Sequence, residues 1–233
     1  MLLPPLPPRP VAGRCALGAL WLLMSLPAAG QAPQAPARPR TALLKLNAFQ
    51  PLARSYQLEL EKQLPGHPKH SLGLTPQLYH GRVTQLTSDQ ETQPDERLRG
   101  WGLELLHRAY LVPNTDAAMA GFYVAYGPQY QRLEMQFKAN GWQQLLANDG
   151  LTYYQYGPID YTETIRRYGA TAVLGYQSPL DLGRVYLDFY LGIGYRNTQF
   201  SSAFPESRYR TGLLDYAYQG FYLPAGFKIG FAL

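Results

Sequence analysis

Residues 184–196 read Arg-Val-Tyr-Leu-Asp-Phe-Tyr-Leu-Gly-Ile-Gly-Tyr-Arg, and every second one is apolar: Val185, Leu187, Phe189, Leu191, Ile193 and Tyr195. Side chains alternate faces along a strand, so one face of this segment is greasy and the other is polar, aromatic or small. The alternation lasts longer than an ordinary globular strand. It matches the roughly 9–11 residues that a tilted strand needs to cross a bilayer. A soluble sandwich would turn the greasy face onto a second sheet, whereas a membrane barrel would turn it to lipid and the other face to the lumen.

The chain begins with a Pro-rich stretch carrying Arg9 and Arg14, followed by the apolar run 16–26 and then Pro27-Ala28-Ala29-Gly30-Gln31. A basic start, a short greasy run and small residues at Ala28 and Gly30 make a secretory signal peptide over 1–30, with Gln31 as the mature N-terminus. The run is too short for a membrane helix, which needs about 17–25 residues. Cys15 falls inside the removed segment, so no disulfide framework or thiolate site is expected in the mature chain. Residues 31–40 are rich in Pro and Ala and read as a flexible leader. Cleavage removes two Arg from 21 basic residues and none of the 16 acidic ones, leaving 19 − 16 = +3. That balance is too mild to indicate a nucleic-acid partner. No later run is long and apolar enough for a membrane helix, so any spanning must be by strands.

From residue 41 onward eight alternating segments follow: 41–49, 55–63, 70–83, 100–111, one beginning at Gly121, 164–177, 184–196 and 220–233. The fifth puts Phe122, Val124 and Tyr126 on one face and later Leu133, Met135 and Phe137, so a phase switch at a bulge near Gln131 is expected. Pro65-Gly66 marks a turn. Residues 84–99, 140–163 and 200–219 read as long loops and 178–183 as a short turn. The connection 112–120 is moderate, and 50–54 is short where a long one would fit. An even strand number with long and short connections alternating is the pattern of a membrane barrel whose long loops lie on one side. A two-sheet sandwich gives no reason for that parity. The predicted fold is therefore all-β: an eight-stranded antiparallel up-and-down transmembrane barrel over 41–233.

The closing residues Phe227-Lys228-Ile229-Gly230-Phe231-Ala232-Leu233, together with Gly100-Trp101-Gly102-Leu103-Glu104, Arg108-Ala109-Tyr110 and Gly121-Phe122-Tyr123-Val124, carry a resemblance. The chain resembles small eight-stranded bacterial outer-membrane β-barrel proteins of the OmpA/OmpX-like kind. The resemblance spans 41–233. It implies a Gram-negative outer membrane, lipid contact and insertion by the barrel assembly machinery, and it brings no catalytic residues.

Eight side chains fall on the expected lumen face with a charge: Lys45, Glu59, Glu61, Glu104, Arg108, Arg167, Asp188 and Lys228, interleaved with Tyr79, Tyr186, Tyr190 and Tyr222. An eight-stranded barrel has an interior about filled by side chains. Mixed charges inside it should pair, because a buried unpaired charge is expensive. The reading is a structural plug rather than an ion path. A lipid-modifying enzyme would need a Ser nucleophile beside a His base. His67, His70, His80 and His107 do not meet that need: His80 faces outward, Ser55 inward, and Ser201 and Ser202 have no nearby His. His67 and His70 flank a turn without acidic or Cys partners, so no metal site is expected there. Gly192-Ile193-Gly194 precedes no helix and is not a phosphate loop. No catalytic residue, cofactor or metal is assigned. Function then falls to the loops, where binding residues collect on a rigid scaffold. Tyr153, Tyr154, Tyr156 and Tyr161 are candidate contacts for an extracellular ligand reached through 84–99, 140–163 and 200–219. An interfacial aromatic girdle is the other reading of these tyrosines.

Overall fold

The structure, a computed structural model, describes residues 41–83, 95–113, 119–146, 150–180, 184–204, 209–210, 212 and 214–233. The expected signal peptide and leader, most of 84–99 and the expected turn residues 181–183 lie outside the described residues. The strands are β1 (Ala42–Asn47), β2 (Ser55–Leu64), β3 (His67–Arg82), β4 (Arg97–Pro113), β5 (Gly121–Leu146), β6 (Thr152–Pro179), β7 (Val185–Ser202), β8 (Gly220–Tyr222) and β9 (Ala225–Ala232), with one short 3₁₀ turn, η1 (Gln50–Ala53). Every pairing is antiparallel, and all join chain neighbours except β7 with β9, which passes over the short β8, and β1 with β9, which joins the two ends of the sheet. The result is one closed ring, not two stacked sheets.

Among the described residues nine strands make eight staves. β8 and β9 both pair with β7 in one unbroken register, from Arg196 opposite Gly220 to Val185 opposite Phe231. The interruption falls at Leu223-Pro224, where proline has no N–H to give the ladder. Pro224 still accepts from Gly192 N at 2.9 Å.

The register fixes the geometry of the ring. Partners followed from Phe221 run through Tyr195, Ala170, Pro128, Leu105, Leu74, Leu60 and Leu44 and return to the starting stave at Phe231. The circuit comes back ten residues along, 231 against 221. A stagger of this size makes eight strands tilt and close around an interior that side chains can fill. Every residue on the circuit is apolar and outward-facing. Phe221, Leu105, Leu74, Leu60 and Phe231 are all exposed to the outside, the arrangement expected of a surface that meets hydrocarbon.

Inside, alternation holds along each stave. β7 buries Tyr186 and Asp188 and exposes Phe189, Leu191 and Ile193. Three expectations fail. β5 has no phase switch: Tyr123, Ala125, Gln131, Leu133, Met135 and Phe137 all face inward, and its register with β6 is continuous. The inner face is apolar at that end because Tyr209, Tyr216 and Ala217 fold in and pack on Leu133, Met135, Phe137 and Ile165. Much of 200–219 is therefore a cap rather than a polar loop. Residues 140–163 are also not a loop. β5 and β6 continue as a paired hairpin as far as Leu146 opposite Thr152. At the β2–β3 end, Leu64 pairs with His67 across Pro65-Gly66. Gly66 takes φ 75°, which a type II turn requires at that position and glycine supplies without strain.

A second apolar cluster closes the short-turn end, built from Leu43, Tyr110, Met119, Ala120, Tyr123 and Tyr186 among others. The described residues belong to the unit that begins at Pro39.

Candidate functional site

Period-two alternation on β1, β2, β4, β7 and β9 delivers six charged side chains to one level of the interior, just above the lower apolar cluster. Lys45, Glu59, Glu61, Arg108, Asp188 and Lys228 are all buried. Lys45 Nζ reaches Glu61 at 2.5 Å, Asp188 at 2.8 Å and Glu59 at 3.5 Å. The Arg108 guanidinium crosses from β4 to Glu59 at 2.6 Å, Asp188 at 2.8 Å and Glu61 at 3.4 Å. Lys228 donates to Glu59 at 2.5 Å. Three cations meet three anions, so the cluster is neutral. This is the condition under which charges can stay in a low-dielectric interior.

Neutral groups complete the bonding. Ser71 donates to Glu61, as does the Tyr110 hydroxyl at 2.7 Å. The Tyr123 hydroxyl donates to Asp188 at 2.5 Å. Gln177 accepts from Lys45 and, at 3.3 Å, from Arg108, while its own amide donates to the Met119 carbonyl at 2.5 Å. Arg108 also lies over the Tyr123 ring and Lys228 over the Tyr190 ring, 4.6 and 4.7 Å from their centroids. Tyr123, Ser71 and Gln177 were not singled out from the sequence. Their inward phase was legible, but only Ser71 finds its partner on the next stave; Tyr123 and Gln177 reach side chains on staves beyond their immediate neighbours.

The remaining two charges of the expected network stand apart. Glu104 and Arg167 line a cavity of about 730 Å³ between the ionic cluster and the cap. Arg167 Nη1 donates to the Tyr216 carbonyl at 3.2 Å, and its Nε has no partner. Among the described residues neither Glu104 nor Arg167 lies within ion-pair distance of an opposite charge. Of the other expected lumen tyrosines, Tyr186 belongs to the lower cluster and Tyr79 to the upper one. Tyr190 and Tyr222 line the cavity.

The cap is fastened to the wall by polar bonds that the sequence alone did not reveal. Arg196 donates to the carbonyls of Tyr218 at 3.1 Å and Asp215 at 3.4 Å. Thr198 donates to the Tyr218 carbonyl at 2.9 Å, and the Tyr216 hydroxyl to that of Ala53 at 3.1 Å.

The candidate loop tyrosines divide. Tyr153, Tyr154 and Tyr156 are exposed on the β5–β6 hairpin, where Tyr156 packs on Trp142 at 5.2 Å between centroids. Tyr161 instead packs against Phe137 and Phe204 as part of the cap. Among the described residues the histidines gather no nucleophile. His70 and His107 stack on the outer face with Nδ1 and Nε2 3.2 Å apart, and His67 lies edge-on to His70. Ser55 is buried and accepts from Gln57, while His80 is exposed. Among the described residues no group of three or more His, Cys, Asp or Glu could hold a metal ion.

No protein-family model matches the chain, and no curated protein matches it. Among solved structures, CarO of Acinetobacter baumannii is similar, with 13% identity and a TM-score of 0.35 over 86% of this chain and all of that one. A likeness of that degree carries no argument about this chain, and the reading below rests on the geometry alone.

Proposed function

We propose that the chain is an integral β-barrel of a Gram-negative outer membrane that does not conduct, and that it acts through the surface at its long-connection end. The observation that carries this reading is the neutral six-charge cluster, which ties β1, β2, β4, β7 and β9 together across the lumen. A water-filled path would leave such charges hydrated and apart; here they are consumed by one another. The apolar outer circuit supports lipid as the surrounding medium. Insertion would then fall to the barrel assembly machinery, after a signal peptide has brought the chain to the periplasm.

With the short-turn end and both ends of the barrel domain in the periplasm, the β5–β6 hairpin stands outside the cell. Trp142, Tyr154 and Tyr156 project from it as an exposed aromatic surface. Such rings bind sugar faces or apolar protein surfaces at little conformational cost. This hairpin is the interaction site of the proposal.

Reconstitution tests both halves. The folded protein should migrate differently in gels with and without boiling, and planar bilayers containing it should show no conductance steps. Stable unitary conductance would overturn the plug. A soluble protein with unchanged gel mobility would overturn the membrane assignment. On whole cells, Tyr154→Cys should react with an impermeant thiol reagent and Gly66→Cys should not; the opposite result reverses the orientation.

A further inference from the structure

The cavity above the ionic cluster has a wall that is incomplete on one side. The last bond between β1 and the β9 stave runs from Ala48 N to the Phe227 carbonyl at 3.1 Å. Continuing that register would set Gln50 and Leu52 opposite Ala225 and Leu223. The chain leaves the sheet instead. Pro51, with its fixed φ, suits the 3₁₀ turn η1, and Arg54 at φ 54° turns the backbone into β2. Above this point β8 pairs with β7 alone.

Backbone direction alternates along a strand. The Phe227 carbonyl faces β1 and the Pro224 carbonyl faces β7, so the N–H and C=O groups of Leu223 and Ala225 face the opening. Among the described residues no backbone bond reaches them from η1 or β2. Leu223 and Ala225 lie eight and six residues from Phe231 along the stave. At about 3.3 Å per residue and a tilt near 40°, that is roughly 20 and 15 Å up a lipid-facing band about 25 Å tall. The gap therefore opens within the outer half of the hydrocarbon, where an unmet backbone group is costly.

The two sides of the gap differ from what lies behind it. Phe49, Leu52, Phe221 and Leu223 are exposed at the mouth. Behind them is Arg167, only 6% exposed, its Nε without a partner and no carboxylate within ion-pair distance among the described residues. Each cation at the level below, Lys45, Arg108 and Lys228, lies within ion-pair distance of at least one carboxylate. A buried guanidinium that meets only the Tyr216 carbonyl and the Tyr79 hydroxyl lacks its counter-charge.

We infer that this cavity is a lateral binding site for a single-chain amphiphile with a carboxylate head, a long-chain fatty acid in its simplest form. The inference rests on the membrane reading above. The head enters from the outer half of the bilayer and pairs with Arg167, whose planar fork suits a carboxylate. The chain lies across the apolar mouth, where it covers the free edge of Leu223 and Ala225 and stays partly in lipid. The volume is within the range of small-molecule sites.

The test uses the full chain in phosphatidylcholine nanodiscs with radiolabelled palmitate, against empty nanodiscs. Saturable binding of about one palmitate per chain is expected. Arg167→Gln should weaken it about tenfold, the worth of a charge-assisted bond. Ala225→Trp, which fills the mouth, should remove it. On the unaltered protein, hexadecanol, with the same chain and no charge, should displace palmitate about tenfold less well than unlabelled palmitate does. That comparison decides the head-group assignment even if Arg167→Gln does not fold. No saturable excess over empty nanodiscs, or palmitate and hexadecanol competing equally, overturns the inference; binding untouched by Ala225→Trp overturns lateral entry. Heat-dependent gel mobility of the nanodisc sample is read first. Its absence overturns the membrane reading and this site with it, whereas its presence without binding overturns the site alone.

Discussion

Asp188 and Arg108 give the sharpest test of the interior. Asp188 accepts from Lys45 at 2.8 Å, from Arg108 at 2.8 Å and from the Tyr123 hydroxyl at 2.5 Å. Asp188→Asn keeps the shape but leaves three cations against two anions. Arg108→Met leaves two cations against three anions. Each single change strands a buried charge, which costs about 3–5 kcal/mol, so independent effects would sum to roughly 6–10 kcal/mol. The double variant restores neutrality. Its remaining charges keep their tightest pairs, Lys45 with Glu61 at 2.5 Å and Lys228 with Glu59 at 2.5 Å. It should therefore cost about as much as one single change, a coupling of about 3–5 kcal/mol. The assay is reversible urea unfolding in thin phosphatidylcholine vesicles, followed by tryptophan fluorescence. Additivity within about 0.5 kcal/mol would mean that the six groups do not act as one neutral unit, and the plug argument would fail with it.

Three further outcomes are expected. A nitroxide at position 189 should be relaxed by lipid-soluble oxygen and little by a water-soluble nickel reagent, while one at 188 shows much less lipid contact; equal accessibility would mean that β7 has no lipid face. Phe189→Arg should cost about 2–4 kcal/mol in the same vesicles, as a charge facing lipid near the midplane does, and a cost near zero would refute that facing. Gly175→Ala should destabilise by about 1–3 kcal/mol, because a Cβ there would overlap the Tyr123 ring and push its hydroxyl off Asp188; an unchanged unfolding midpoint would show that the ring has room to move.

The outer face of this fold was legible because one rule of alternation holds on every stave, as the proposed lipid surroundings would impose. On β7, Val185 to Tyr195 alternate with Tyr186 to Arg196, and the structure turns them outward and inward in that order. The rule fails where its physical cause stops. Leu133, Met135 and Phe137 look like a flipped phase only if the lumen is polar throughout. They face inward because Tyr209, Tyr216 and Ala217, some 70–80 positions away, supply an apolar partner. Beyond the apolar outer band there is no contrast between faces, so the hairpin from Phe137 to Leu146 carries no alternation to announce it. The lumen charges were readable by phase but not by pairing. Lys45 stands directly opposite Glu59 on the neighbouring stave, yet its tighter contacts are Glu61 and Asp188. Which groups meet across the lumen depends on the stagger of the whole ring, a property no single stave contains.

The tyrosine and glycine content follows from that same ring. On the inner face Tyr123 lies directly opposite Gly175 on the next stave, Tyr186 opposite Gly230, Tyr190 opposite Gly226 and Tyr222 opposite Gly194. At Gly175, Gly194 and Gly226 an added Cβ would run into the partner's ring, and at Gly230 it would press on both Tyr186 and Lys45. The rings thus lie flat against the wall over a missing side chain, the pairing by which an aromatic shields a strand glycine. Laid flat, a ring fills the lumen with little depth and leaves its hydroxyl at the far edge, over the next stave. Tyr123 thereby reaches Asp188, Tyr190 accepts from Asn47 at 2.8 Å, and Tyr222 meets both Gln129 and Thr171. A bulkier residue in place of any of these glycines would lift a ring toward the axis, where the ionic cluster and the cavity compete for the same space. The glycines therefore set how near the charges can come to one another, and the neutral cluster depends on residues that carry no charge at all.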